Sequence, residues 1–128
     1  MRHKRQTLAT ALILAAFMAP VYAGDAVKGA TVYKKCVSCH MIGDGAKNRV
    51  GPHLNGIVGR KISAIADYKY SKAMVAYAAA AEIWSEENLD AYLESPRKVV
   101  KGGRMAFAGL RKEKDRNDVI AYLKENAK

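Results

Sequence analysis

The 128-residue sequence predicts an all-α fold with long loops packed on something the chain itself does not supply. Three observations predict it. Several segments combine an Asp or Ser cap with helical propensity or an apolar face. No stretch alternates apolar and polar residues as a half-buried strand would, and no repeat or linker breaks the chain. Between the helical segments lie glycine-rich stretches with neither period.

The chain starts with a targeting pattern. Met1 to Arg5 carries Arg2, Lys4 and Arg5, an uncharged apolar run of 12 residues follows from Leu8 to Ala19, and Val21-Tyr22-Ala23 suits a signal peptidase. A spanning helix needs about 20 apolar residues, so this run is short for a membrane anchor. The expectation is a secretory signal over 1–23, cleaved after Ala23, and one domain over 24–128 with no stable membrane insertion. The mature chain keeps 19 Lys and Arg against 12 Asp and Glu, a formal charge of +7. A domain of about 100 residues buries roughly two-thirds of its unfolded surface, so a large apolar cofactor would add much to its core.

Gly24 to Lys35 reads as the first helix. Asp25 lies at its N-terminus, where its charge favours the helix dipole, and Val27, Ala30, Val32 and Tyr33 form its apolar face. That helix leads into Cys36-Val37-Ser38-Cys39-His40. C-x-x-C-H is the attachment signature of c-type haem: each thiol can form a thioether to one porphyrin, and the adjacent imidazole can bind its iron. Both cysteines of an exported chain would then be consumed. Three other readings of the pair exist: a thioredoxin-like dithiol, part of a zinc site with His40 and His53, and a disulfide. The chain shows no βαβ pattern and no second cysteine pair.

Gly43-Asp44-Gly45 marks a loop, and Gly51 to Arg60 holds three Gly and a Pro in ten residues, a shaped loop that Ser63 to Tyr70 continues. Ser71 to Glu82 is Ala-rich and helical, with Ser71 as cap. Ser85 to Glu94 has Ser85 as cap, Glu86 and Glu87 in its first turn, and a face of Leu89, Tyr92 and Leu93; Pro96 stops it. Arg97 to Leu110 reads as loop. Asp115 to Ala127 is the last helix, its apolar residues Val119, Ile120, Tyr122 and Leu123.

In this order, Cys36–His40, Gly51–Arg60, Tyr68 and Tyr70, Trp84, Tyr92–Pro96, Met105-Ala106-Phe107-Ala108-Gly109 and Asp118–Leu123 resemble class I cytochrome c, the soluble, mitochondrial-like bacterial electron carriers. The resemblance spans nearly the whole mature chain. It implies the class I cytochrome c fold, about four to five helices wrapped around one covalent haem c held through Cys36 and Cys39. It implies His40 and Met105 as metal ligands. Met105 also has chemistry in its favour, since a neutral thioether suits low-spin iron and raises its potential relative to a second His. Met41 adjoins His40, Met74 lies in a helix, and His53 is the rival ligand. Pro52 matches a proline whose carbonyl orients the ligand His. Arg60, Tyr70 and Trp84, and less closely Tyr68, match partners of the haem propionates. Tyr92 matches a tyrosine near the methionine sulfur, and Gly29, Tyr33 and Tyr122 a contact between first and last helices.

The sequence departs from the mitochondrial pattern in three places. Lys101 replaces a proline, Gly103 replaces a threonine that contacts a propionate, and the stretch from Tyr70 to Trp84 is longer. The functional expectation is a monomeric periplasmic one-electron carrier, not an enzyme. It would shuttle between respiratory or photosynthetic complexes, such as a quinol–cytochrome c reductase and a terminal oxidase or reaction centre. A haem peroxidase or gas sensor with a labile Met ligand is the alternative. Lys34, Lys35, Lys47, Arg49, Arg97, Lys98, Lys101, Arg104, Arg111 and Lys112 would form a basic ring that steers acidic docking sites. No nucleic-acid motif is present, and no nucleic-acid partner is expected.

Overall fold

The computed structural model describes residues 23–126; the expected signal segment lies outside them apart from Ala23, as does Ala127. Within the described residues five helices follow one another: α1 (Ala26–Tyr33), α2 (Lys72–Ala81), α3 (Glu86–Glu94), α4 (Pro96–Val99) and α5 (Glu113–Glu125). Among the described residues no strand forms; the only β pairing is an isolated bridge between Lys61 and Ile83. The fold is all-α with long loops, as the sequence predicts.

The caps sit where the sequence puts them. Asp25 accepts the Val27 and Lys28 backbone N–H groups at the start of α1. Ser71 accepts from Met74 at α2, and Ser85 from Asn88 at α3. Each satisfies donors that a helix start leaves open.

Three boundaries differ. The first helix runs Ala26–Tyr33 rather than Gly24 to Lys35, because Asp25 caps it from outside and turns begin at Lys34. The stretch expected as loop after Glu94 begins with α4, because Pro96 sits at its first turn, where a fixed φ and a missing N–H suit a helix start. Pro96 therefore both follows one helix and opens the next. The last helix starts at Glu113 rather than Asp115. No side chain caps it; instead the Arg116 guanidinium donates to the Leu110 and Arg111 carbonyls just upstream, at 2.9 and 3.0 Å, and to Asp90 of α3 at 2.6 Å.

α1 packs along α5, which also meets α3. The contact needs Gly29: a Cβ there would land on the Asp118 carbonyl and on Cβ of Tyr122. Beside it the Tyr33 and Tyr122 rings stack at 5.1 Å. The backbone N–H of Asp25 donates to the Asp118 carboxylate at 2.8 Å, closing the ends of the domain onto each other. Val119 and Ile120 are the most deeply buried side chains, each 1% exposed, and each contributes about 1.5–3 kcal/mol through burial. The core continues through Leu89, Tyr92, Trp84, Ile57 and Ile62 toward the loops.

Two outcomes follow from this frame. Gly29→Ala overpacks the α1–α5 contact and should cost about 1–3 kcal/mol of stability, read by thermal or denaturant unfolding. Asp118 is buried, and its hydrogen bonds to Lys114 and the Asp25 N–H hold its carboxyl below the ordinary 3.8. A lowered folded-state value contributes stability that is present above 3.8 and lost as pH falls below it. Unfolding midpoints measured from pH 6 down to about 2.5 should therefore drop less steeply in Asp118→Asn than in the unaltered protein.

Candidate cofactor site

After α1 the chain continues in tight turns that carry the C-x-x-C-H residues. The Cys36 N–H donates to the Tyr33 carbonyl at 2.8 Å, and the N–H groups of Cys39 and His40 return to the Cys36 carbonyl at 3.1 and 2.9 Å. Both thiols are free and half-buried, so the pair is not a disulfide. Burial, with the Cys39 sulfur nearby, raises the Cys36 thiol above its ordinary value. Among the described residues no group of three or more His, Cys, Asp or Glu side chains is placed to hold a metal, which leaves the zinc reading without ligands.

His40 is fixed from several directions. Its Nδ1 meets the Pro52 carbonyl at 2.7 Å, which makes Nδ1 the protonated nitrogen and leaves Nε2 with its lone pair free. Its backbone carbonyl accepts from the Tyr33 hydroxyl at 3.1 Å. Burial lowers the pKa of the ring, which favours the neutral imidazole that a metal requires; the bond to Pro52 works in the opposite sense. Gly51 lies against the ring face so closely that a Cβ would press on Cε1, Nδ1 and Nε2. The Gly51 N–H donates back to the Cys39 carbonyl at 2.9 Å, and the Leu54 N–H to the Met41 carbonyl at 2.9 Å. Asn55 ties the loop across itself, accepting from the Gly43 N–H at 2.7 Å and donating to its carbonyl at 2.9 Å.

The second loop carries Met105. The Tyr92 hydroxyl of α3 donates to the Met105 sulfur at 3.7 Å, and burial pushes that phenol up to about 12. The downstream end of the loop is anchored: the Leu110 N–H donates to the Leu93 carbonyl at 2.7 Å, and Gly109 (φ +111°) lies directly against the Glu94 carbonyl. Cys36, Met105, Phe107, Met74 and Tyr77 all pack, half-buried, against one core. Trp84, 6% exposed, is sandwiched between Tyr77 and Tyr92 at 5.8 and 4.9 Å.

Arg60 donates to the Asn55 and His53 carbonyls at 2.7 and 3.2 Å, while its Nε is buried with no partner. Burial depresses its pKa. The Tyr70 hydroxyl accepts the Ile65 N–H at 3.2 Å, and the Tyr68 hydroxyl donates to the Val50 carbonyl at 2.7 Å. His53 stands on the Arg60 side of the loop, its Nδ1 buried and unpartnered. Sequence reasoning missed Arg116, whose buried guanidinium braces the end of the Met105 loop; one Arg in a polar helix gives no signal before its partners are known.

A family model described as Cytochrome c matches residues 26–127. The chain belongs to the cytochrome c family. A cytochrome c-550 of Ancylobacter novellus is 47% identical over 97 residues, covering 76% of this chain and 91% of that protein. A cytochrome c2 of Agrobacterium tumefaciens is 44% identical over 100 residues, covering 78% and 90%. The solved structure of cytochrome c2 from Rhodospirillum centenum aligns with a TM-score of 0.74 at 39% identity, covering 82% of this chain and all of that one. The protein is thus a class I cytochrome c, an electron-transfer protein with one covalently attached haem c.

The residues present fit that group. Two free thiols flank a turn that ends in an imidazole with a free Nε2, and the unpartnered Nε of Arg60 would give an anionic propionate a donor. No helix among the described residues is long and apolar enough to cross a membrane.

The glycine under His40 gives a direct test. Gly51→Ala should turn or displace the imidazole and weaken its bond to Pro52. The expected readout is a lower yield of haem-loaded protein and an altered low-spin absorption spectrum, with the helical circular dichroism of the loaded fraction retained.

Proposed function

We propose that this cytochrome c is a periplasmic one-electron carrier, exported by a signal over 1–23 and released as 24–128. It would exchange electrons between a quinol-oxidising complex and a terminal oxidase or photosynthetic centre. In this reading Cys36 and Cys39 carry the haem as thioethers, His40 and Met105 ligate its iron, and Arg60, Tyr70 and Trp84 attend its propionates. When bound, the haem supplies reversible one-electron chemistry.

One observation carries the reading: both candidate axial side chains are held by a dedicated partner. The Pro52 carbonyl keeps the proton on Nδ1 of His40, so Nε2 is the donor atom and the imidazole is a stronger base. The Tyr92 hydroxyl takes one lone pair of the Met105 sulfur and leaves the other. Two such side chains would both ligate the haem iron, which suits a carrier and would leave no position for a substrate. The buried aromatic group of Trp84 and Tyr92 keeps water from this side of the site, which favours electron exchange with little solvent rearrangement.

The ten basic residues expected to form a docking ring are all exposed. Such a surface accelerates encounter with acidic partners and weakens as salt screens it. The protein would act as a monomer that docks transiently.

The visible spectrum of the haem-loaded protein tests the proposal. The expected result is low-spin absorption, the weak far-red haem–methionine band in the ferric form, and no shift with carbon monoxide. Met105→Ala should abolish the band and admit carbon monoxide. A high-spin spectrum or ready carbon monoxide binding in the unaltered protein would overturn the carrier reading in favour of a peroxidase or gas sensor.

A further inference from the structure

Away from the cofactor site, a hollow of about 480 Å³ lies between residues 23–25 and the first turns of α5, lined by Glu113, Lys114, Asn117 and Asp118. Three observations meet there. Gly24 lies directly against α5, with no room for a Cβ beside the Asn117 carbonyl. The next residue is locked, its N–H bonded to the Asp118 carboxylate at 2.8 Å. The side-chain Oδ1 of Asn117 is buried and has no hydrogen-bond partner, a costly state for an amide carbonyl.

The charges around the hollow are unbalanced. Three carboxylates, Asp25, Glu113 and Asp118, line the hollow against one ammonium group, Lys114. Lys28 pairs with Asp25 from outside the lining. The positive end of the α5 dipole is offset by its own acidic first turn, Glu113 and Asp115.

We propose that cleavage between Ala23 and Gly24 creates a docked N-terminus, the new α-ammonium of Gly24 entering this hollow to pair with Asn117 Oδ1 and the surrounding carboxylates. The step is hydrolysis by a signal peptidase: water adds across the Ala23–Gly24 peptide bond, leaving a carboxylate on Ala23 and an amine on Gly24 that takes up a proton. Before cleavage the Gly24 nitrogen is an amide with one hydrogen and no charge; afterwards it is a cation with three donors. Processing thus supplies the missing donor and the missing charge together. The proposal rests on the cleavage position given above.

The test compares the exported, haem-loaded protein with a form carrying two threonines between Ala23 and Gly24. Ala23 is exposed, so the longer chain is accommodated without disturbing α5. Intact mass first gives each N-terminus; a start elsewhere than Gly24 overturns the cleavage reading, and this proposal with it. With a Gly24 start, the unaltered protein should melt about 4 °C or more above the extended one. Asn117→Leu should erase that difference by lowering only the Gly24 form, while Asn117→Asp, which keeps an acceptor, should preserve it. Equal melting of the Gly24 and extended forms, or an equal loss in both from Asn117→Leu, overturns the docking and leaves the cleavage position standing.

Discussion

The contact of α1 with α5 is the constraint on which the other parts depend. It is a backbone-to-backbone approach that Gly29 permits, reinforced by the Tyr33–Tyr122 stack and by the Asp25–Asp118 hydrogen bond. Each member of the pair supports one half of the site. α1 runs into the turns that hold Cys36 and His40, and the Tyr33 ring stacks on Tyr122 of α5 while its hydroxyl donates to the His40 carbonyl. α5 supplies Arg116, which fastens the segment just after Met105 to α3. Two loops with little regular structure are thereby suspended from one rigid pair of helices.

Within the site, precision comes from polar bonds rather than from packing alone. The His40 ring and the Met105 sulfur each have one partner that fixes a proton or a lone pair, and neither partner can be exchanged without changing the electronics of the side chain it holds. Asn55 acts as a strut inside its loop, replacing the backbone pairing that a strand would have provided. Side chains that bond to main chain let a glycine-rich segment hold one shape.

The helices and their caps were legible because they obey local rules: Asp25, Ser71 and Ser85 do in the structure what their type and position predict. The C-x-x-C-H residues were legible because the chemistry of thioether attachment fixes their spacing. Pro96 was half-read, since the residue that ends one helix also suits the first position of the next. The start of α5 was missed because a tertiary bond, not a cap, sets it: Arg116 gathers carbonyls from the preceding loop. The roles of Pro52 and Tyr92 could be named only through resemblance. A proline carbonyl or a phenol twelve or more residues away in the chain carries no local mark of the atom it will meet. His53 and Arg60 illustrate the remainder, since their unpartnered nitrogens become visible only when burial is known.

The bond between Asp25 and Asp118 joins residues 93 positions apart, and this bears on the order in which the chain can acquire structure. A nascent chain that ends before Glu113 has its first helix but not the surface that helix packs on. At eight residues α1 is too short to persist in water by itself. Closure of so long a loop is slow compared with local helix formation, and it waits for the final stretch of synthesis. The pairing of first and last helices is therefore withheld until the whole polypeptide is available, and the cysteine turn that α1 leads into gains its rigid support only then.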